Sequence, residues 1–182
     1  MNKLVLAALI TPLALIGCAE DAEADWFVGG GGTAAKYDVD GSSEDQETLG
    51  YFINGGYIYG NGLGLELEAK HLTDTEVSSR VDIDSQDSLT LYGVAELPVG
   101  TSPVSLVFKG GVGYAKTELK GFGQNDSDTT FYPAVAGGVK MDFTDNWSGS
   151  VTVDYKKMDY DDNGNDVALD PVSANVGIAY RF

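Results

Sequence analysis

One cysteine and one histidine stand among 182 residues. A lone Cys18 cannot close a disulfide within the chain, and a lone His71 cannot supply a histidine-clustered metal site. Basic residues are scarce as well: 11 Lys and Arg face 28 Asp and Glu, a formal charge of -17. Such a chain repels phosphate backbones, and no basic stripe interrupts the deficit, which excludes nucleic-acid binding. Neither a G-x-G-x-x-G turn nor a P-loop is present, so nucleotide binding finds no support. No apolar run reaches the roughly 20 residues that a membrane-spanning helix needs. No helical period appears in the body of the chain either.

What is present is alternation. The hydrophobic share is 43% with 24 Gly and 10 Tyr, a composition that suits short strands and tight turns in one domain. Residues 1–24 read as a secretory signal peptide, with Lys3 as its positive end and an apolar core from Leu4 to Ile16. Two cleavage readings stand side by side. Ala22-Glu23-Ala24 is a small-x-small site that would make Asp25 the mature start. Leu15-Ile16-Gly17-Cys18 looks like a lipobox, a lipoprotein signal over 1–17 that would leave an acylated Cys18. The domain expected to fold is 25–182.

That body alternates short turns with long polar loops. Strands are predicted over 26–37, 48–59, 63–73, 88–97, 104–116, 129–141, 147–158 and the final stretch to Phe182. Turns fall at 60–62, 98–103 and 142–146. Long loops fall at 38–47, 73–87, 117–128 and 159–170. In the first strand the outward face is expected to be Phe27, Gly29, Gly31, Thr33, Ala35 and Tyr37. The last strand shows the pattern best: Ala174, Val176, Ile178, Tyr180 and Phe182 share one face, and Asn175, Gly177, Ala179 and Arg181 the other. Strands of this length match the roughly 9–11 residues needed to cross a bilayer at a tilt. Aromatics cluster near strand ends, as two interfacial belts would. The pattern predicts an all-β fold, an eight-stranded antiparallel up-and-down transmembrane β-barrel.

The same parity sends Glu66, Glu68, Lys70, Glu96, Lys109, Lys140, Asp154, Lys156 and Arg181 inward. An eight-stranded barrel is just wide enough for its side chains to fill, and unpaired ions there are costly. The lumen therefore reads as a plug of salt bridges. A small channel for ions or small solutes is the alternative.

Two local motifs carry chemistry. In the fourth loop, Asp159, Asp161, Asn163 and Asp170 take positions one, three, five and twelve of a calcium-loop spacing, with Gly164 at the turn. Asp170 replaces the bidentate Glu and no helices flank the loop, so the plainer reading is a solvated hairpin tip; apart from this candidate Ca²⁺ no cofactor is expected. On the third strand His71 and Thr73 lie two apart on one face, which a lipid-modifying enzyme could use as base and nucleophile. Glu76 or Asp74 would then have to orient the base.

The Trp26-Phe27-Val28-Gly29 entry, Gly55-Gly56-Tyr57, Leu65-Glu66-Leu67, Thr144-Asp145-Asn146-Trp147 and the Tyr180-Arg181-Phe182 end come in an order that resembles small outer-membrane barrels. These are the OmpA transmembrane domain, the OmpX group and the opacity-type porin family of Gram-negative bacteria. The resemblance spans roughly 25–182. It implies a non-enzymatic, monomeric surface protein of the outer membrane that serves envelope integrity or adhesion. It also implies that Val176, Ile178, Tyr180 and Phe182 form the signal read by the barrel-assembly machinery. Outer-membrane lipid and lipopolysaccharide are the implied surroundings, and a host or phage surface ligand the implied partner of the loops.

Overall fold

A computed structural model describes residues 24–39, 46–73, 75–76, 82–121, 124–162 and 165–182, with side-chain surroundings for 25–36, 47–73, 85–116, 129–158 and 171–182. Residues 1–23, including Cys18, lie outside the described residues.

Ten β segments follow one another: β1 Ala24–Val39, β2 Gln46–Tyr59, β3 Leu63–Leu72, β4 Thr75–Glu76, β5 Asp82–Pro98, β6 Val104–Gly121, β7 Gln124–Asp142, β8 Trp147–Lys156, β9 Met158–Asp162 and β10 Asn165–Arg181. β4 pairs with β5 above the end of β3, and β9 pairs with β10 beyond Lys157, so these two short pieces extend β3 and β8. Eight staves remain. Every pairing is antiparallel, and β1 pairs with both β2 and β10, which closes the ring. Closure satisfies the backbone groups that an open edge would leave bare in lipid.

Alternation sorts the side chains between two surroundings. Leu91, Val151, Val153, Val176 and Ile178 point outward and about half of each is exposed, while Glu68, Lys70, Thr90, Tyr92, Tyr132 and Asp154 are buried inside. This inverts a water-soluble barrel, whose polar face is the outer one. Aromatic pairs ring the turn end: Trp26–Tyr57 at 5.3 Å, Tyr57–Tyr59 at 5.2 Å, Trp147–Tyr180 at 5.1 Å and Tyr180–Phe182 at 5.2 Å between centroids. Tyr114 and Phe131 pair at 6.4 Å toward the loop end.

Two expectations are corrected. The phase of β1 is reversed: Trp26 and Val28 are the outward residues, whereas Thr33 and Ala35 are buried and Phe27 packs against the inner cluster. Gly29 to Gly32 carry no side chain to register a phase, and Trp26, Phe27 and Val28 are apolar on both parities. The loops at 117–128 and 159–170 are also largely strand. The β6–β7 ladder runs through Thr117–Asp128 to Gly121–Gln124, and the β9–β10 ladder reaches Asp162–Asn165. Polar residues on both parities hide the ladder there from a search for alternation.

The glycines of β1 have a packing role at the seam. A Cβ on Gly31 would run into the Val176 carbonyl and the Gly177 Cα of β10, and a Cβ on Gly177 would approach the Phe52 ring to 2.8 Å. Phe52, 6% exposed, occupies this space. Gly31→Ala should therefore destabilise the barrel by about 1–3 kcal/mol through overpacking. Gly110→Ala, where a Cβ meets nothing within 4 Å, should be near neutral. Urea unfolding in lipid vesicles measures both.

Candidate functional site in the lumen and on its outer rim

The lumen is built from inward positions of all eight staves. At the turn end, Lys140 on β7 contacts Glu96 on β5 and lies 3.7 Å from Asp142. Arg181 on β10 sits 3.7 Å from Glu96 and 3.9 Å from Asp25. One step inward, Lys109 on β6 donates to Glu66 on β3 at 2.6 Å and lies over the Tyr92 ring. Between these tiers is a cavity of about 50 Å³, bordered by Phe27, Asn54, Glu66, Lys109, Lys140 and Arg181 among others.

Above it the lumen is crossed. Lys70 on β3 donates to Asp154 Oδ1 on β8 at 2.6 Å and to Asn175 Oδ1 on β10 at 2.9 Å. Around the ring, β3 and β8 are four staves apart, so this ion pair spans the diameter. Glu68 Oε1 lies 3.5 Å from the same ammonium, and Asn175 Nδ2 donates to Asp154 at 2.6 Å. Lys156 donates to Ser88 at 3.2 Å and lies over the Tyr132 ring, whose hydroxyl shares a 2.8 Å hydrogen bond with Thr90. Gly113 makes room for that ring, since a Cβ there would come within 2.7 Å of the Tyr132 hydroxyl. Lys70, Lys109, Lys140 and Arg181 thus each lie against a carboxylate, and Lys156 against a hydroxyl and an aromatic ring, in a polar interior where an unpaired ion would be expensive.

The structure places the nine predicted luminal charges Glu66, Glu68, Lys70, Glu96, Lys109, Lys140, Asp154, Lys156 and Arg181 in this network. Asn175 lies on the polar face expected of the last strand, but sequence reasoning did not single out Tyr92 or Tyr132. Their signal was parity: Tyr92 and Tyr132 stand an even number of residues from Glu96 and Lys140 on the same strands.

Val176, Ile178 and Phe182 face outward, and Tyr180 is held between Trp147 and Phe182. The Phe182 amide donates to the Trp26 carbonyl at 2.9 Å, fastening the last residue to β1. In the fourth loop Asn163 lies outside the described residues. Asp159 and Asp161 oppose Ala168 and Asp166 in the β9–β10 ladder, and the side chains of Asp159, Asp161 and Asp170 are outside the described set. Among the described residues no cluster of acids, His or Cys suited to a metal ion is found.

On the outer face, His71 Nδ1 is 2.7 Å from Asp87 Oδ1, and its ring stacks at 5.1 Å on Tyr51. The carboxylate against His71 is thus the cross-strand Asp87; Asp74 and the side chain of Glu76 lie outside the described residues. The Thr73 hydroxyl donates instead to the Leu49 carbonyl at 2.6 Å. A nucleophile poised toward His71 would need that proton directed elsewhere.

The comparisons agree with this architecture. No curated protein sequence matches the chain. Among solved structures it is similar to Neisserial surface protein A, with a TM-score of 0.73 at 15% identity over 88% of this chain and 99% of that one. It is similar also to Ail, the attachment invasion locus protein of Yersinia pestis, in complex with the heparin analogue sucrose octasulfate: TM-score 0.64, 22% identity, 88% and 99% covered. OprG of Pseudomonas aeruginosa gives 0.61 at 16% identity over 88% and 97%. At these identities the likeness is one of fold. Residues 4–182 match the outer membrane protein beta-barrel domain as a family. With its closed antiparallel ring, apolar outer band and charged lumen, the chain belongs to the outer membrane protein β-barrel domain family, whose place is the bacterial outer membrane.

Proposed function

We propose that this barrel is a non-enzymatic surface protein whose lumen is sealed and whose acidic extracellular loops serve envelope integrity or adhesion. The observation that carries the sealed lumen is the Lys70–Asp154 pair across the full diameter, flanked by Tyr92 and Tyr132 and backed by the lower ion pairs. A solute would have to break a buried ion pair to pass, at a cost of several kcal/mol. The cavity of about 50 Å³ below it is too small for anything beyond a water or two.

Charge narrows the partner. Ail is recorded with a sulfated heparin analogue, a polyanion. With 28 acids against 11 bases, this chain would repel such a ligand. A basic protein surface, or an anionic one bridged by divalent cations, is the complementary partner for its loops.

Conductance of the purified barrel in planar bilayers tests the sealed lumen. The expected record has no discrete steps, and Lys70→Ala with Asp154→Ala should introduce them. Steps in the native protein would replace this reading with the small-channel one.

A further inference from the structure

The cavity at the turn end of the lumen sits among three staves whose residues are in register. Ser150 on β8 stands opposite Lys140 on β7, and Ser148 stands opposite Ala179 on β10, one inward step from Arg181. Ser148, Ser150 and Ala179 are short, and the two long cations rise on either side of them. That difference in length opens the space of about 50 Å³. One water needs roughly 10–15 Å³ of such space, so a compact guest fits and a branched polyatomic one does not.

The charges around this space do not balance. Lys109, Lys140 and Arg181 border it against two carboxylates, Glu66 and Glu96, which leaves a surplus of one positive charge. Lys109 donates to Glu66 at 2.6 Å and Lys140 contacts Glu96, so Arg181 is the cation left over. Its guanidinium lies 3.7 Å from Glu96 and 3.9 Å from Asp25, and it donates no hydrogen bond among the described residues. Asp25 and Asp142 stand at the rim rather than on the wall. Their side chains are 54% and 39% exposed, so water and salt screen them. The acidic stretches belong to the other end of the staves: Asp38 and Asp170 pair at the far end of the ladder that begins with Phe27 and Arg181. That is several Debye lengths of roughly 8 Å away. The hydroxyls of Ser148 and Ser150 and the amide of Asn54 border the same space, and each can donate a hydrogen bond. A cation would meet three like charges here. A neutral guest would leave the surplus charge in a confined interior, where it is costly.

From these observations we infer that the cavity binds one small monovalent anion of the size of chloride. The anion sits between Arg181 and Lys140, against the serine hydroxyls of β8. It supplies the counter-charge that the wall lacks, and it ties the closing strand β10 to β7 and β8. The site lies on the turn-end side of the Lys70–Asp154 pair and is independent of whether that pair seals the lumen.

NMR of the chloride nucleus tests this on the refolded barrel in neutral detergent micelles, with sodium chloride as the probe and sodium gluconate holding the ionic strength constant. Chloride that exchanges with a slowly tumbling barrel should show excess line broadening that saturates at one site per barrel. Arg181→Gln removes the unmatched cation and should weaken binding about tenfold. Glu96→Gln removes a carboxylate and raises the surplus to two charges, so it should tighten binding by a similar factor. Sodium sulfate at equal concentration should not compete, because its ion is too large for the cavity. No excess broadening in the native barrel, or broadening that Arg181→Gln leaves unchanged, would overturn the site. Equal weakening by both variants would show a wall that collapses when altered and would overturn the charge argument. Competition by sulfate would put the anion on the exposed rim and overturn the cavity. The chloride and sulfate titrations need only the native barrel, so they decide the matter even if a variant fails to fold.

Discussion

Lys70→Met should lower the unfolding free energy of the barrel by about 3–5 kcal/mol, the cost of breaking a buried ion pair from one side. Methionine has nearly the length of lysine and is apolar, so the packing stays and the charge goes. The Lys70 side chain is 1% exposed and Asp154 is 2% exposed, so bulk water reaches neither. Without the ammonium, Asp154 keeps one hydrogen bond from Asn175, and Glu68 loses the cation 3.5 Å away. Two carboxylates then face each other's field in a confined space. The companion variant Lys70→Met/Asp154→Leu removes both ends of the pair and should recover more than half of the loss, because an apolar replacement of a buried pair is often neutral. With Asp154→Leu alone as the fourth corner, urea titration of the barrel in lipid vesicles supplies the cycle that isolates the coupling. A loss below about 1 kcal/mol, the range of solvent-exposed pairs, would mean that water enters the lumen at this height and would count against the sealed reading.

Much of this barrel is legible because an outer-membrane strand meets two unlike surroundings at every second residue. In β3, Leu63, Leu65 and Leu67 alternate with Glu66, Glu68 and Lys70, and no soluble sheet would turn the leucines to the solvent side. The closing strand is equally plain. Where side chains vanish, so does the signal: the four glycines of β1 let its phase be read backwards. Where polar residues occupy both parities, as along Thr117–Gly121 and Gln124–Asp128, the ladder continues without any alternation to announce it.

Pairing across the lumen is a different kind of information. Lys70 and Asp154 are 84 residues apart in sequence. Parity says that both point inward, but only the stagger of the closed ring says that they meet at one height. The same limit explains the outer face. Asp87, 2.7 Å from His71, stands opposite it on the neighbouring stave and 16 residues away in sequence. The inward turn of Tyr92 and Tyr132 is hard to read for a chemical reason: an aromatic ring is at home against lipid or in a packed interior, so its identity alone does not choose a side.

Val151→Arg should cost about 2–4 kcal/mol and Leu49→Arg only about 0–1 kcal/mol, although both replace an outward apolar residue with the same cation. The difference comes from depth. Val151 lies midway along its stave between the outward aromatics Trp147 and Tyr155, and in register it stands between Val139 and Val176. A guanidinium there has no water within reach of a short side-chain bend. Leu49 is 69% exposed and lies past Tyr51 toward the loop end, where an arginine can extend into the head-group region. In water the order would not hold, since both sites are about as open and neither contacts the lumen. Urea unfolding of the two variants in phosphatidylcholine vesicles gives the comparison directly. Equal costs would mean that the apolar band does not sit across the bilayer as its aromatic margins imply. A cost that is large at Val151 and small at Leu49 puts the His71–Asp87 pair at the interface, because both lie in register with Tyr51, one outward step below Leu49.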